Sequence, residues 1–204
     1  MKKTIEEHAA RFSELAPEYD HEQQSPAYRA CADLVVARAD PGADDVVLDL
    51  GTGTGAIALA LAPDANRVVG RDISEGMLAE AQAKAEERGL TNVAFGEGRF
   101  REPNYDGEAD VVVSNFAMHH LGDAEKREAV ETIADLGPRT FVLGDVMFFE
   151  GEADADVYDP EVDDPATVGV LADALTDAGF SLTAVDRVGE GVGVLTAERA
   201  GEGA

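Results

Sequence analysis

Residues 46–55 read Val46-Val47-Leu48-Asp49-Leu50-Gly51-Thr52-Gly53-Thr54-Gly55. The first five form a short apolar run of the kind carried by a buried parallel strand. Three glycines at alternate positions follow, then Ala56-Ile57-Ala58-Leu59-Ala60-Leu61-Ala62, a run of good helix formers. Strand, glycine turn and helix open a nucleotide-binding βαβ unit, in which the turn lays bare backbone against a ligand. The next apolar run, Arg67-Val68-Val69-Gly70, leads into Asp72. An acid about 20 residues beyond the first glycine can accept hydrogen bonds from ribose hydroxyls.

Upstream of this unit, residues 4–16 predict a helix with Ile5, Ala9, Phe12 and Ala16 on one face, ended by Pro17. Tyr19-Asp20-His21 then reads as a connector. Ser25-Pro26 offers an N-cap and a first-turn proline for a second helix to about Ala39, with Cys31 on its buried face. Downstream, Ser74 caps a helix to about residue 88. Strands are expected at Asn92–Phe95, Ala109–Ser114 and Thr140–Val146, with a helix from Asp123 between the last two. An acidic loop covers 149–164, and its Asp154, Asp156, Asp159, Asp163 and Asp164 read as solvated surface rather than a calcium loop. Asp164-Pro165 is expected to cap a further helix ending at Gly179. Phe180–Asp186 and Val192–Glu198 read as a hairpin. Alternating strands and helices give an α/β fold, a doubly wound parallel sheet with helices on both faces and one antiparallel strand from the hairpin. Residues 1–40 are expected to form an N-terminal helical cap, 41–199 the core domain and 200–204 a frayed tail.

The 204 residues carry 42 acids against 16 bases, a formal charge of −26, with the acids spread along the chain. That distribution fits a surface adapted to high salt, where acids are hydrated and screened. There is no basic stripe interleaved with aromatics, so a nucleic-acid partner is not expected. A single cysteine excludes an intrachain disulfide and a cysteine-based zinc site, and no metal site is expected. Residues 1–15 are charged and amphipathic rather than leader-like. No apolar run approaches the roughly 20 residues of a membrane span, so a soluble, cytoplasmic protein is expected.

Two segments together resemble the first two motifs of class I S-adenosylmethionine-dependent methyltransferases: Asp49-Leu-Gly51-Thr-Gly53-Thr-Gly55 and Val69-Gly-Arg-Asp72-Ile-Ser-Glu-Gly-Met77-Leu78. Val111-Val-Val-Ser114-Asn115-Phe-Ala-Met118-His-His120-Leu121 resembles the fourth-strand segment of their small-molecule, type 11-like branch. The resemblance implies a Rossmann-like seven-stranded sheet of order 3-2-1-4-5-7-6 with strand 7 antiparallel, and S-adenosylmethionine as cofactor. Asp49, Gly51 and Gly53, with Thr52 between them, would lie along its methionine part. Asp72 would take the ribose, Ile73 would pack on the adenine, and Met77 belongs to the same motif. Ser114 and Asn115 would border the methyl-transfer site, and Tyr19 is a lid candidate. Relatives place an acid where this chain has Arg99, so Phe100 or nearby backbone is expected to meet the adenine.

His119 and His120 end the fourth strand, where a parallel sheet opens its ligand crevice. Position points to His119 on the methyl acceptor, as a general base, with Asn115 beside it and His120 structural. The acceptor is expected to be a small molecule; its identity and the oligomeric state are not legible. Two other functions compete. A nicotinamide dehydrogenase also satisfies Gly51-Thr-Gly53-Thr-Gly55-Ala56 and Asp72, but Asp49 suits an ammonium better than a pyrophosphate, and the chain has no Tyr-x-x-x-Lys pair. A cofactor-binding, non-catalytic partner subunit is the other.

Overall fold

The structure, a computed structural model, describes residues 4–23, 25–149, 158–160 and 162–199. Asp154, Asp156 and the tail 200–204 lie outside the described residues. In chain order the elements are α1 (Ile5–Glu22), α2 (Pro26–Ala39), β1 (Val46–Leu50), α3 (Ala56–Leu61), β2 (Arg67–Asp72), α4 (Glu75–Glu87), β3 (Val93–Glu97) and β4 (Val111–Asn115). There follow a 3-10 turn (Met118–His120), α5 (Asp123–Asp135), β5 (Thr140–Phe148), β6 (Ala166–Thr167), α6 (Val168–Asp177), β7 (Ser181–Gly189) and β8 (Val192–Glu198).

The strands form one sheet of order β3-β2-β1-β4-β5-β8-β7, with the two-residue β6 paired to the end of β5. The expected seven-strand path is therefore present, and β8 is antiparallel to both its neighbours. In β1, Val47 faces a core shared with Val35, Ile57, Leu61 and Val142, on the side covered by α2 and α3. Leu48 and Leu50 belong to the opposite core with Ile133, Phe141 and Leu175, beneath α5 and α6. A central strand buried on both faces cannot alternate apolar and polar residues, which is why β1 and β4 read as continuous apolar runs.

The end of α1 and the start of α6 differ from the sequence reading. α1 runs through Pro17 and includes Tyr19, Asp20 and His21. A proline inside a helix loses the bond to the carbonyl four residues back, here that of Ser13, and its ring crowds that carbonyl. Packing on α4 carries the helix past that loss. Gly76 makes the approach possible, since a Cβ there would stand 2.7 Å from Ser13 Cα and 2.8 Å from its carbonyl oxygen. α6 is capped by Thr167, whose hydroxyl accepts the Val170 N–H at 3.2 Å, because residues 166–167 first pair with β5. The expected cap at Asp164 lies upstream of that pairing. Within the expected 1–40 unit the helices divide their work: α1 packs on α4 over the ends of the strands, whereas α2 covers the sheet at β4, β5 and β8.

Candidate functional site

A cavity of about 220 Å³ opens at the C-terminal ends of β1, β2 and β4, beneath α1. Parallel strands diverge there, and β1 lies where the sheet order reverses, between β2 and β4.

The floor is the glycine turn. Gly51 and Gly53 have φ of +72° and +53°, the left-handed region that glycine enters without strain. The N–H groups of Gly51 and Thr52 both donate to the Arg71 carbonyl, at 2.8 and 3.0 Å. The Asp72 carboxylate accepts the Gly53 N–H at 2.8 Å and the Ser74 N–H at 2.9 Å. The end of β2 thus holds the turn after β1. Above Gly53 there is open space: a Cβ would meet nothing within 4 Å.

Asp49 is 1% exposed. One carboxylate oxygen accepts from Thr52 Oγ1 at 2.7 Å; the other has no hydrogen-bond partner. Burial pushes this acid up to about 7, against the Thr52 hydroxyl and the nearby Ala58 backbone N–H and with the neighbouring Asp72 adding to the rise. Asp72 is raised by burial too, opposed by its backbone donors. A buried carboxylate with a bare oxygen on a cavity wall is matched by a cation.

The opposite wall is the end of β4. Asn115 lines the cavity beside the Tyr28 phenol and is 8% exposed, and among the described residues its amide has no well-formed hydrogen bond. Phe116 follows at φ +52°, a conformation costly for a bulky residue; its N–H donates to the Gly144 carbonyl at 2.8 Å, and its ring lies 5.1 Å from Tyr28. Ile5, His8, Phe12 and Tyr19 of α1 close the top. Burial raises the Tyr19 phenol. Asp20 fastens α1 to the floor, accepting from Thr54 Oγ1 at 2.5 Å and pairing with Lys84.

Of the residues singled out in the sequence, Asp49, Gly51, Thr52, Gly53, Asp72, Ile73, Met77, Phe100, Asn115 and Tyr19 all line this cavity. Ser114 and His119 do not. Ser114 is fully buried, with its hydroxyl unpartnered. The two histidines exchange the positions expected of them: His120 is on the cavity wall, and His119 is inside the protein. Consecutive residues of a 3-10 turn point about 120° apart, so both cannot face one cavity. Asp145 of β5 captures His119, accepting its backbone N–H at 3.0 Å and meeting Nδ1 at 2.5 Å. A carboxylate only accepts, so Nδ1 carries the proton. Burial works against charge on His119, but Asp145, with Asp163 behind it, raises its pKa. Burial lowers that of His120.

Asp163 corrects the reading of the 149–164 stretch as solvated surface. Its side chain is 12% exposed and stands 2.9 Å from His120 Nδ1 and 3.8 Å from His119 Nε2. Donor atoms of His119, His120 and Asp163 lie within 4.8 Å of one another, a grouping that could hold a metal ion although no metal site was expected. Arg71, a possible 2′-phosphate partner in a dehydrogenase, spends its guanidinium on the carbonyls of Pro103, Asn104 and Gly70. Arg99 lines the cavity and stands 4.0 Å from Glu102. Sequence reading missed His8, Phe12, Tyr28, Phe116, Asp145 and Asp163 as neighbours of the site. Only Asp145 carried a signal, an acid inside an otherwise apolar strand.

Residues 47–136 match the family model described as a methyltransferase domain. An uncharacterised methyltransferase of Bacillus subtilis, YcgJ, is 34% identical over 102 residues, 50% of this chain and 40% of that protein. The demethylmenaquinone methyltransferase of Thermus thermophilus is 39% identical over 131 residues, 56% of this chain and 54% of that one. The chain thus spans about half the length of these curated relatives. Among solved structures, the DhpI–SAM–HEP complex superposes with a TM-score of 0.73 and 25% identity, covering 95% of this chain and 97% of that one. Sheet order and glycine turn agree with a Rossmann-like fold, and residues 47–136 are similar to a methyltransferase domain.

Proposed function

We propose that the chain is an S-adenosylmethionine-dependent methyltransferase that moves a methyl group to a small-molecule acceptor. The observation that carries this reading is the bare Asp49 oxygen, buried on the wall of a cavity floored by the open space over Gly53. The residues present fit the cofactor. Asp49 would hold its ammonium, an assignment that a pyrophosphate would not tolerate beside a buried carboxylate. Asp72 would accept from the ribose and Ile73 would pack on the base, with Phe100 and backbone of the same segment in place of the missing acid at Arg99.

The bound cofactor supplies an activated methyl on sulfur. The protein's share is alignment and exclusion of water. Asn115 offers its amide to the acceptor, and the aromatic cover of Phe12, Tyr19, Tyr28 and Phe116 keeps the cavity dry. His120, rather than His119, is the histidine placed to meet an acceptor proton. The lowered pKa of His120 leaves it neutral near pH 7, as a base must be. A cavity of about 220 Å³ and a charge of −26 favour a small acceptor over a polyanion. A soluble, cytoplasmic enzyme with a salt-adapted surface belongs to the same reading.

The test is calorimetry with S-adenosylhomocysteine and with NADH, in dilute and in molar potassium chloride, followed by labelled methyl transfer into a deproteinised metabolite extract. Tight binding of the first ligand and a labelled product are expected. Tighter binding of NADH would overturn the cofactor assignment; cofactor binding without any labelled product would point to a non-catalytic subunit.

A further inference from the structure

We propose that His119, His120 and Asp163 form a three-ligand site for a transition-metal dication, Zn²⁺ being the best match, in the wall of the cavity.

Three independent features converge on it. The first is the donor set. Two imidazoles and one carboxylate are ligands for Zn²⁺ and, with open positions, for Fe²⁺. Metal–ligand bonds of about 2.0–2.2 Å set ligand atoms roughly 3.0–3.5 Å apart. The distances here straddle that spacing: 2.9 Å between His120 Nδ1 and Asp163, and 3.8 Å between His119 Nε2 and Asp163.

The second feature is tautomer control. With Nδ1–H of His119 donated to Asp145, the lone pair must sit on Nε2, the atom that faces Asp163. A carboxylate behind the distal nitrogen of a ligating histidine is the usual outer shell of a zinc site. Asp145 is itself fixed, since it also accepts the N–H groups of His119 and Val146.

The third is an unmet need. His120 Nδ1 is buried 2.9 Å from Asp163, and among the described residues it meets no second partner. A third atom lying between nitrogen and oxygen would satisfy both. Packing holds the cluster together from both sides: the Asp164 N–H donates to the His119 carbonyl at 2.7 Å, and Lys126 Nζ reaches the Asp164 carbonyl at 2.5 Å. Bringing Asp163 to the histidines thus depends on the backbone rather than on charge alone. Because His120 also lines the cavity, a metal on its Nδ1 would leave the proton on Nε2, so the loaded site would position the acceptor rather than take its proton, and base catalysis by His120 belongs to the metal-free form. The site does not depend on which reaction the cavity carries out.

The test uses the full chain, freed of any affinity tag and stripped with chelator. Titration with Zn²⁺ is followed by calorimetry, and Co²⁺ by its visible d–d absorption. One equivalent of Zn²⁺ should bind, with an intense tetrahedral-type Co²⁺ spectrum. Asp163→Ala and His120→Ala should each weaken binding at least a hundredfold, whereas Glu128→Gln, an acid remote from the cluster, should leave it unchanged. Circular dichroism confirms that the variants are folded. Failure of the wild-type chain to bind Zn²⁺ above the level of these two variants would overturn the site. So would a Co²⁺ spectrum matching that of the free hexa-aqua ion. In either case the cluster would be a hydrogen-bonded, protonated His119 shared between Asp145 and Asp163.

Discussion

Asp72 Oδ2 accepts the N–H of Gly53 at 2.8 Å, so the acid that ends β2 and the turn that follows β1 hold each other in place. Its other oxygen takes the Ser74 N–H at the start of α4. Asp72→Ala should therefore do two things. It should weaken cofactor binding at least about tenfold, the loss of a charged hydrogen-bond acceptor. It should also lower the melting temperature, because two backbone donors lose their partner. Asp72→Asn should recover part of the stability but little of the affinity. Calorimetry and thermal melts on the two variants separate these effects; unchanged affinity in both would place the ribose elsewhere.

Asp49 should make the ligand-free protein less stable as pH rises. Its folded-state pKa, about 7, lies above the ordinary 3.8. Between those values the folded chain keeps a proton that the unfolded chain has released, so stability falls across that window and the loss is complete above pH 7. Asp49→Asn should melt higher than the wild type at pH 8 and level with it near pH 3.5. Asp72, also raised by burial, is present in both proteins, and the difference includes its repulsion with ionised Asp49. The cofactor's ammonium favours the ionised acid. Wild-type binding at pH 6 should then release a proton, seen as a dependence of the binding heat on buffer ionisation, and Asp49→Asn should abolish that release.

Gly51→Ala should abolish cofactor binding and destabilise the turn. Alanine at φ +72° costs about 1 kcal/mol or more, and its methyl would stand well under 3.0 Å from that of Ala117. Gly53→Ala meets no such neighbour in the free protein. At φ +53° it carries a similar backbone cost of about 1 kcal/mol without the clash, so it should fold with a modest stability loss yet bind the cofactor weakly, because its methyl would fill the space over the turn. Equal affinity in the Gly53 variant would move the ligand off the turn.

The two histidines should respond oppositely to truncation, measured in chelator-treated protein. His119→Ala strips Asp145 of its buried partner, a change that typically costs about 3–5 kcal/mol, and should lower the melting temperature sharply. His120→Ala should leave the melt within a few degrees of wild type and lower turnover about 10²–10⁴-fold if the ring takes a proton in the transition state. A large stability loss in His120→Ala with a stable His119→Ala would reverse the assignment.

Stability should rise steeply from dilute buffer to molar potassium chloride. Screening length falls from about 10 Å at 0.1 M to about 3 Å at 1 M, and the chain carries 42 acids against 16 bases. Melting temperatures across that range check it; a flat profile would remove the case for a salt-adapted surface.

The β1–turn–α3 unit and Asp72 were legible because each follows from local constraint: an apolar run long enough for a buried strand, glycines where φ must be positive, an acid at the next strand end. The alternation of elements predicted a parallel sheet with helices on both faces; the strand order was implied only by the family resemblance. What stayed hidden is lateral. Whether His119 or His120 faces the cavity is decided by Asp145 on the neighbouring strand, and no pattern within 118–121 encodes that choice. Asp163 lies far along the chain and looked like one more surface acid among many. Pro17 misled for the same reason: the rule that proline ends a helix is local, whereas α4 and the bare face of Gly76 lie elsewhere in the sequence.

β8 follows β7 in the chain but occupies the slot between β7 and β5, with Val192 through Ala197 buried. β5 and β7 are therefore joined only through β8, which must be made before β7 can enter the sheet. During synthesis the β3-β2-β1-β4-β5 half of the sheet and the glycine turn can assemble early, leaving β5 with an open edge of unpaired backbone. The nascent chain would then carry a nearly finished cofactor floor on an unfinished sheet. Chaperone engagement or early ligand binding would matter most in the interval before residue 198 emerges.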